Sequence, residues 1–580
     1  MTKLESLRNT NSLSDLAVLL GFTPRGLAYT LYKTPDGSKY QKFQIAKKKG
    51  GVRDICAPKG ALKLLQRNLA NLLYDCRDEI NKDTPRRPLA HGFRRKQSIF
   101  DNAKKHRHRR FVLNLDLKDF FPAFNFGRVR GFFIKNRDFS LNEKVATIIA
   151  QIACFENILP QGSPCSPIIA DMLAHILDVR LVRLSKAHHV TYSRYADDLT
   201  FSTNERSFPA ALGFRDAAPG SDWILGYDLI RIIERAGFMV NPVKTRMQVR
   251  TGRQVVTGLT VNTKVNIPQE YARSARAMCN SLFGIGTYHR RVPAATSSDG
   301  TITYEMIENL NPLEGILSYI YHIKRSMELT RHAKPPASIA VPSQKVYSEF
   351  LFYKYFVALS RPIVVCEGRT DNIYLKYAVR HLHDSYPTLG HHTVKGFVLD
   401  ISFFRYNNTA HNILGLTGGS STVKKFINTY ARKLRRYQHR PLSHPIIILI
   451  DNDTALAELK SDLKKYFSIE VELTSTELFY HLINNLFLIK TPEIGTTGSS
   501  CIEDCFETAL RATQLDGKTF NPEKNLDPAT QYGKGPFAEK VIVPDAKDIA
   551  WDGFRPLLDR ISAVIADYVP PASAALAAAA

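Results

Sequence analysis

The stretch SRYADDLTFS, Ser193 to Ser202, sets two adjacent carboxylates, Asp197 and Asp198, between apolar and aromatic residues. Neighbouring acids repel each other, and withdrawing them from water costs free energy unless something positive stands beside them. The aromatic and β-branched content of VTYSRYADDLTFS predicts a hairpin with both aspartates in its turn. A third acid, Asp116, ends the apolar run VLNLD within FVLNLDLKDFF (Phe111–Phe121), which reads as a buried strand. Three carboxylates at strand ends can hold two Mg²⁺ ions, a pair that clamps the attacking hydroxyl and the leaving oxygen of a phosphoryl transfer. An isolated DD is usually a turn or a cap, so the combination carries the inference.

Charge points the same way. Residues 1–330 hold 50 Lys+Arg against 29 Asp+Glu, and the remainder holds 29 against 25, which makes up the net charge of +25. A strongly basic first part, with a local run AKKHRHRR (Ala103–Arg110), suits a polyanion such as nucleic acid. A length of 580 residues exceeds what one hydrophobic core usually supports. The chain shows no CxxC pair, no apolar run of about 18 residues and no signal-peptide layout at its start, so a cytoplasmic protein with reduced thiols and no membrane partner is expected.

Residues 1–90 read as mostly helical, PIIADMLAHILDVRLVRLS as an amphipathic helix opened by Pro167, and RQVVTGLTVNTK as a short hairpin. The pattern breaks near Pro335-Pro336. Beyond it, RPIVVCEGRTDNIYLKYAVRHL and HPIIILIDNDTALAEL each read as strand, acidic loop, helix, the alternation of a parallel α/β sheet with reactive groups at the strands' carboxyl ends. The expected division is 1–330, a linker region 331–358, an α/β domain 359–515, an extension 516–571 of unknown role, and a low-complexity tail 572–580 set apart from the fold.

YADD between apolar strands, NLDLKDFF upstream and LPQGSPCSPIIADML between them resemble the palm of a reverse transcriptase. The resemblance implies an α+β right-hand polymerase with fingers, palm and short thumb. It implies Asp116, Asp197 and Asp198 as catalytic metal-binding acids and the Leu117 carbonyl as a further oxygen ligand. It places Phe121 against the sugar 2′ position, where an aromatic wall favours dNTPs. Gln161 and Gly162 stand beside the incoming nucleotide, Arg53 on its triphosphate and Lys244 at the pyrophosphate leaving group. Two further stretches, Asn102-Ala103-x-x-His106 and Val256-Thr257-Gly258, resemble signature elements of retron reverse transcriptases, and LEGILSYIYHIK (Leu313–Lys324) resembles their thumb helix. Asn102, His106, Val256, Thr257 and Gly258 are thereby expected to contact RNA. Cys165 in QGSPCSP departs from the small residue usual in the family. Such enzymes copy part of a cognate non-coding RNA into a branched RNA–DNA (msDNA), primed from an RNA 2′-hydroxyl, and many act in defence against phage.

The acids beyond the break resemble a Toprim domain of the OLD-like branch. Glu367, Asp451 and Asp453 would be catalytic and metal-binding, Glu503 a further ligand, and Asp371 a possible addition one helical turn past Glu367. One or two Mg²⁺ ions are implied there, besides two in the polymerase site, together with an unidentified nucleic-acid target. Gly418-Gly419 enters a helix and suits a phosphate. The whole is expected to be a retron reverse transcriptase fused to a Toprim nuclease, with oligomerisation open. The alternatives are a group II intron-like or diversity-generating reverse transcriptase, and a regulatory nucleoprotein in which RNA–DNA restrains a toxic Toprim domain.

Overall fold

In the computed structural model the residues described are 1–47, 51–83, 88–215, 222–292, 303–329, 342–494, 498–523 and 525–571. They fall into two units, 1–272 with 322–335, and 273–321 with 336–580. The Pro335-Pro336 break and the tail 572–580 lie outside the described residues.

In the first unit the run Phe111–Lys118 forms the central strand of an antiparallel sheet. The hairpin Thr191–Tyr195 and Asp198–Thr203 lies on one side, in a register that sets Asp116 opposite Asp198. On the other side Met239–Val240 and Arg246–Val249 pair with successive parts of the same strand. Helix Ser166–Ala187, with proline in its first turn, buries Ile168, Ile169, Leu173, Leu177 and Leu181 in the core beneath the sheet. That buried side also carries Asp171 and Asp178, seven residues apart and so on one helical face.

The first 90 residues are mostly helical, as expected, and the exception is the antiparallel hairpin of Tyr40–Ala46 and Val52–Pro58. All of the first strand after Tyr40 is exposed, so it lacks the apolar–polar alternation that marks a half-buried strand.

The second unit holds a five-stranded sheet in the order Ser402–Phe403, Ile363–Cys366, Ile446–Ile450, Leu486–Lys490, Tyr480–Ile483. Its first four strands are parallel and the last is an antiparallel edge. The run IIILI is buried at every position, as a strand covered on both faces must be.

The unit is larger than the α/β segment anticipated. Phe537, Trp551, Phe554, Leu557, Leu558 and Ile561, from the extension of unknown role, share one core with Val364, Ile447, Leu449 and Phe487. Of the expected linker, Pro342–Phe352 is helical, and Phe356 packs tilted against Phe426 with ring centroids 4.6 Å apart. Residues 273–321, placed with the first domain in the sequence, belong to this unit because Phe283 packs on Tyr353 and Tyr437 and its carbonyl accepts from the Gln438 and His439 amides at 2.9 and 3.0 Å. Helix Asn311–Leu329 contains the anticipated thumb segment. No described helix is long and apolar enough to cross a membrane.

Candidate active site

The hairpin places Asp197 in its turn and Asp198 at the start of the returning strand. The turn is locked to the central strand by the Leu117 amide, which donates to the Asp197 carbonyl at 3.0 Å. Ala196 holds φ +57°, and behind it stands Gly92, where an added Cβ would lie 2.5 Å from the Ala196 nitrogen. Only glycine permits that approach.

Asp116 is nearly buried and answers the question of the positive partner. Lys244 Nζ lies 2.6 Å from its Oδ1, and Asn241 Nδ2 donates to Oδ2 at 3.2 Å. Withdrawal from solvent, then the charge of Asp116, raises Asp197 above the ordinary carboxylate range. Withdrawal within the cleft, with Asp197 and Asp116 adding to it, pushes Asp198 up to about 7. Excess negative charge on hard oxygen donors fits a divalent cation such as Mg²⁺. Among the described residues no group of three or more His, Cys, Asp or Glu is gathered as a ready metal-ligand set. The lysine stands where cationic charge is needed.

Asp116, Leu117 and Asp197 line one cleft with Arg53, Phe121, Gln161, Gly162 and Lys244, so the residues expected around a nucleotide converge. Phe121 is half-buried against Phe93 and Phe120. Gly162 serves a different approach from the one anticipated. At φ +117° an added Cβ would meet the Cys56 carbonyl oxygen at 2.9 Å, and the Cys56 amide donates to the Gln161 carbonyl at 2.7 Å. The glycine brings the backbone of the Val52–Pro58 strand, which carries Arg53, against the loop that carries Gln161.

The expected RNA contacts divide. Asn102 and His106 are fully buried behind the hairpin: Ser193 Oγ donates to Asn102 Oδ1 at 2.7 Å, and the two His106 ring nitrogens each lie 2.7 Å from a serine hydroxyl, Ser193 and Ser202. Burial lowers His106 to about 3, so the ring is neutral. Val256 is also buried. These three side chains have no surface to offer RNA, and Asn102 and His106 instead brace the hairpin, a correction that spacing alone could not supply. Thr257 and Gly258, at φ +47° and +82°, form the turn of the short hairpin. They line a groove with Asp198, Arg246, Gln248 and Arg253.

The sequence reading missed the support beneath the turn. Arg194 is fully buried; its Nε and Nη2 donate to Asp178 at 2.7 and 2.8 Å, Nη2 also reaches Asp171 at 2.9 Å, and Nη1 donates to the Ala196 carbonyl at 3.2 Å. Arg77 and Arg94 complete the charge balance on Asp171. Although burial opposes its charge, Asp178 is held well below the carboxylate range by Arg194. Two acids on an otherwise apolar helix face were the available signal for a buried cation.

In the second unit, Glu367 and Asp451 follow adjacent parallel strands. The Ser420 amide donates to Glu367 Oε1 at 3.2 Å and the Gly419 amide to the Glu367 carbonyl at 2.9 Å, so the glycine turn expected to cradle a phosphate holds Glu367. Asp371 accepts from the Gly368 amide at 2.7 Å. The Ile502 amide donates to Asp451 Oδ1 at 3.0 Å and delivers the fully buried Glu503 to the same place. Burial, then the charges of Asp371, Glu503 and Glu367 working against Lys534, pushes Asp451 up to about 8. Asp453 is not among the acids that crowd Asp451; its Oδ1 accepts from the Ala455 amide at 2.7 Å and caps helix Thr454–Phe467. Lys534, from the extension, was not anticipated: its Nζ lies 2.8 Å from Glu503 Oε2 and 3.6 Å from Asp451 Oδ2.

An antiparallel sheet that gathers three aspartates at and beside one hairpin turn, opening on a cleft lined by an arginine, an aromatic and a lysine, has the layout of a nucleotide-polymerising palm. Residues 45–261 match the family described as reverse transcriptase (RNA-dependent DNA polymerase). Among curated relatives, the retron Mx65 reverse transcriptase of Myxococcus xanthus is 36% identical over 46% of this chain and 61% of its own length. The retron Ec86 reverse transcriptase of Escherichia coli is 31% identical over 47% of this chain and 78% of its own. The retron Mx162 reverse transcriptase of Myxococcus xanthus is 30% identical over 55% and 65%. The chain belongs to the retron reverse transcriptase family. It spans less than two thirds of the Mx65 and Mx162 enzymes.

Proposed function

We propose that this protein is an RNA-directed DNA polymerase that copies a cognate non-coding RNA into msDNA from an RNA 2′-hydroxyl, with a Toprim-type phosphodiester-cutting centre in its second unit. The observation that carries the polymerase reading is the convergence of Asp116 and Asp197 on the cleft that holds Arg53, Phe121, Gln161 and Lys244, with Asp198 paired to Asp116 in the sheet and facing the adjoining groove. Mg²⁺, held by the three aspartates and the Leu117 carbonyl, would supply charge stabilisation at the reacting phosphate. The chain's own groups do the rest. Arg53 offers a guanidinium fork to the triphosphate. Phe121 closes the sugar side of the cleft and rejects a ribose hydroxyl by contact. Lys244 keeps its proton through the carboxylates around it and is placed to donate to the leaving pyrophosphate. The Thr257–Gly258 turn, half-buried at Thr257 and exposed at Gly258, and the arginines of the adjoining groove are the surface proposed for the cognate RNA.

The Toprim reading rests on Glu367 and Asp451 at neighbouring strand ends with Asp371 and Glu503 beside them. Mg²⁺ there would supply the same Lewis acidity for cutting a nucleic-acid target, and a role in phage defence follows as the effector function. Asp197→Asn with Asp198→Asn should abolish DNA synthesis and leave RNA binding intact, since amides are poor Mg²⁺ ligands and the basic surface is unchanged. Glu367→Ala or Asp451→Ala should leave msDNA yield unchanged and remove toxicity or phage protection. Normal msDNA from the first variant would refute the polymerase assignment; full protection and toxicity in both of the others would make the second unit a scaffold.

A further inference from the structure

Lys534 is held by its backbone: the Gly533 carbonyl accepts from the Phe537 amide at 3.2 Å, and the Tyr374 hydroxyl donates to the Lys534 carbonyl at 3.5 Å. Its side chain is 31% exposed, so the flexible stem has a way out to solvent, while the ammonium points inward to Glu503 and Asp451. Glu503 is fully buried, and its Oε1 has no hydrogen-bond donor. A buried carboxylate oxygen without a donor is costly and marks a place for a further ligand. Glu367, Asp371, Asp451 and Glu503 bring more negative charge than one ammonium balances.

We propose that Lys534 is an exchangeable counter-ion: its ammonium occupies the position of a divalent cation between Glu503 and Asp451, and Mg²⁺ or Mn²⁺ enters this centre by turning Lys534 out toward solvent. The proposal rests on reading the centre as a metal-dependent one and adds how its metal is admitted. The two cations exclude each other on size and charge. Mg²⁺ binds oxygen at about 2.0–2.1 Å and demands near-octahedral donors, which an ammonium 2.8 Å from Glu503 and 3.6 Å from Asp451 blocks. Metal affinity is therefore reduced by the fraction of molecules in which the lysine is turned in. The segment 516–571, which gives the unit part of its core, thus also sets the ion concentration at which the centre is loaded.

The test uses the full chain with Asp197→Asn and Asp198→Asn, which weakens the first centre, titrated with Mn²⁺ alone while free Mn²⁺ is followed by electron paramagnetic resonance. Lys534→Met should tighten Mn²⁺ binding at least about tenfold, Lys534→Arg should not, and adding Glu503→Gln to the methionine variant should cancel the gain. Lys534→Gln, which keeps a polar contact to Glu503, replaces the methionine variant if that chain does not fold. Unchanged or weaker binding in the folded Lys534 variants overturns the exchange; if Glu503→Gln still weakens binding, the metal-centre reading stands without it. Failure of every variant to bind Mn²⁺ at this centre overturns both.

Discussion

Arg194 carries more of the site than its place two residues before the catalytic turn suggests. With its guanidinium fully buried between Asp171 and Asp178, replacing it alone leaves carboxylates uncompensated. Arg194→Met should cost about 3–5 kcal/mol in urea unfolding, and Arg194→Met combined with Asp178→Leu should cost less than the single change. His106 adds a pH dependence. Burial lowers its pKa from the model-peptide range of about 6.5 to about 3. The unfolded chain therefore binds the proton first. The stability this residue contributes is complete above about pH 6.5 and is lost as pH falls toward 3, at a slope approaching about 1.4 kcal/mol per unit. Unfolding midpoints measured between pH 7 and 4.5 should fall, and fall less steeply for His106→Gln, which cannot take up the proton.

At the scale of elements, the hairpin is positioned by three supports that come from distant stretches: Gly92 behind the turn, the Asn102–His106 segment against Ser193 and Ser202, and Asp171 and Asp178 of helix Ser166–Ala187, which hold Arg194 of the hairpin's first strand. Gly92→Ala puts a methyl group 2.5 Å from the Ala196 nitrogen, so the turn bearing Asp197 must shift. A misplacement of about 1 Å costs on the order of 100-fold in rate. The variant should lose about 10- to 100-fold in primer extension while retaining RNA binding in a filter assay. The hairpin and its acids were legible because strand, turn and charge coincide in ten residues. The supports were not, since Gly92, Asp171, Asp178 and Arg194 look in sequence like a loop glycine and ordinary surface charges. The Asn102–His106 motif was visible, but motif spacing says nothing of which way a side chain faces. Asp453 was read as a ligand because DND follows a strand, and the same spacing did not show that its Oδ1 caps the next helix.

For the whole chain, composition located the basic part, and alternating strand and helix located the parallel sheet. The extent of the second unit was not legible, because cores assembled from residues near 364, 447 and 557, and from residues near 283, 352 and 437, leave no local pattern. Truncation after Leu515 should therefore unfold that unit. It removes Phe537, Trp551, Phe554, Leu557, Leu558 and Ile561, each contributing about 1.5–3 kcal/mol of burial. Limited proteolysis should degrade residues 342–515 of the truncated chain and spare the first unit. Lys244 and Lys534 have a consequence for the history of each molecule. A nascent chain that supplies its own cations to both acid centres can close them while still leaving the ribosome, so folding does not wait on magnesium. On the proposed reading the metal would then arrive as a late passenger in a finished protein, and its availability would decide when each centre works without deciding whether the protein exists.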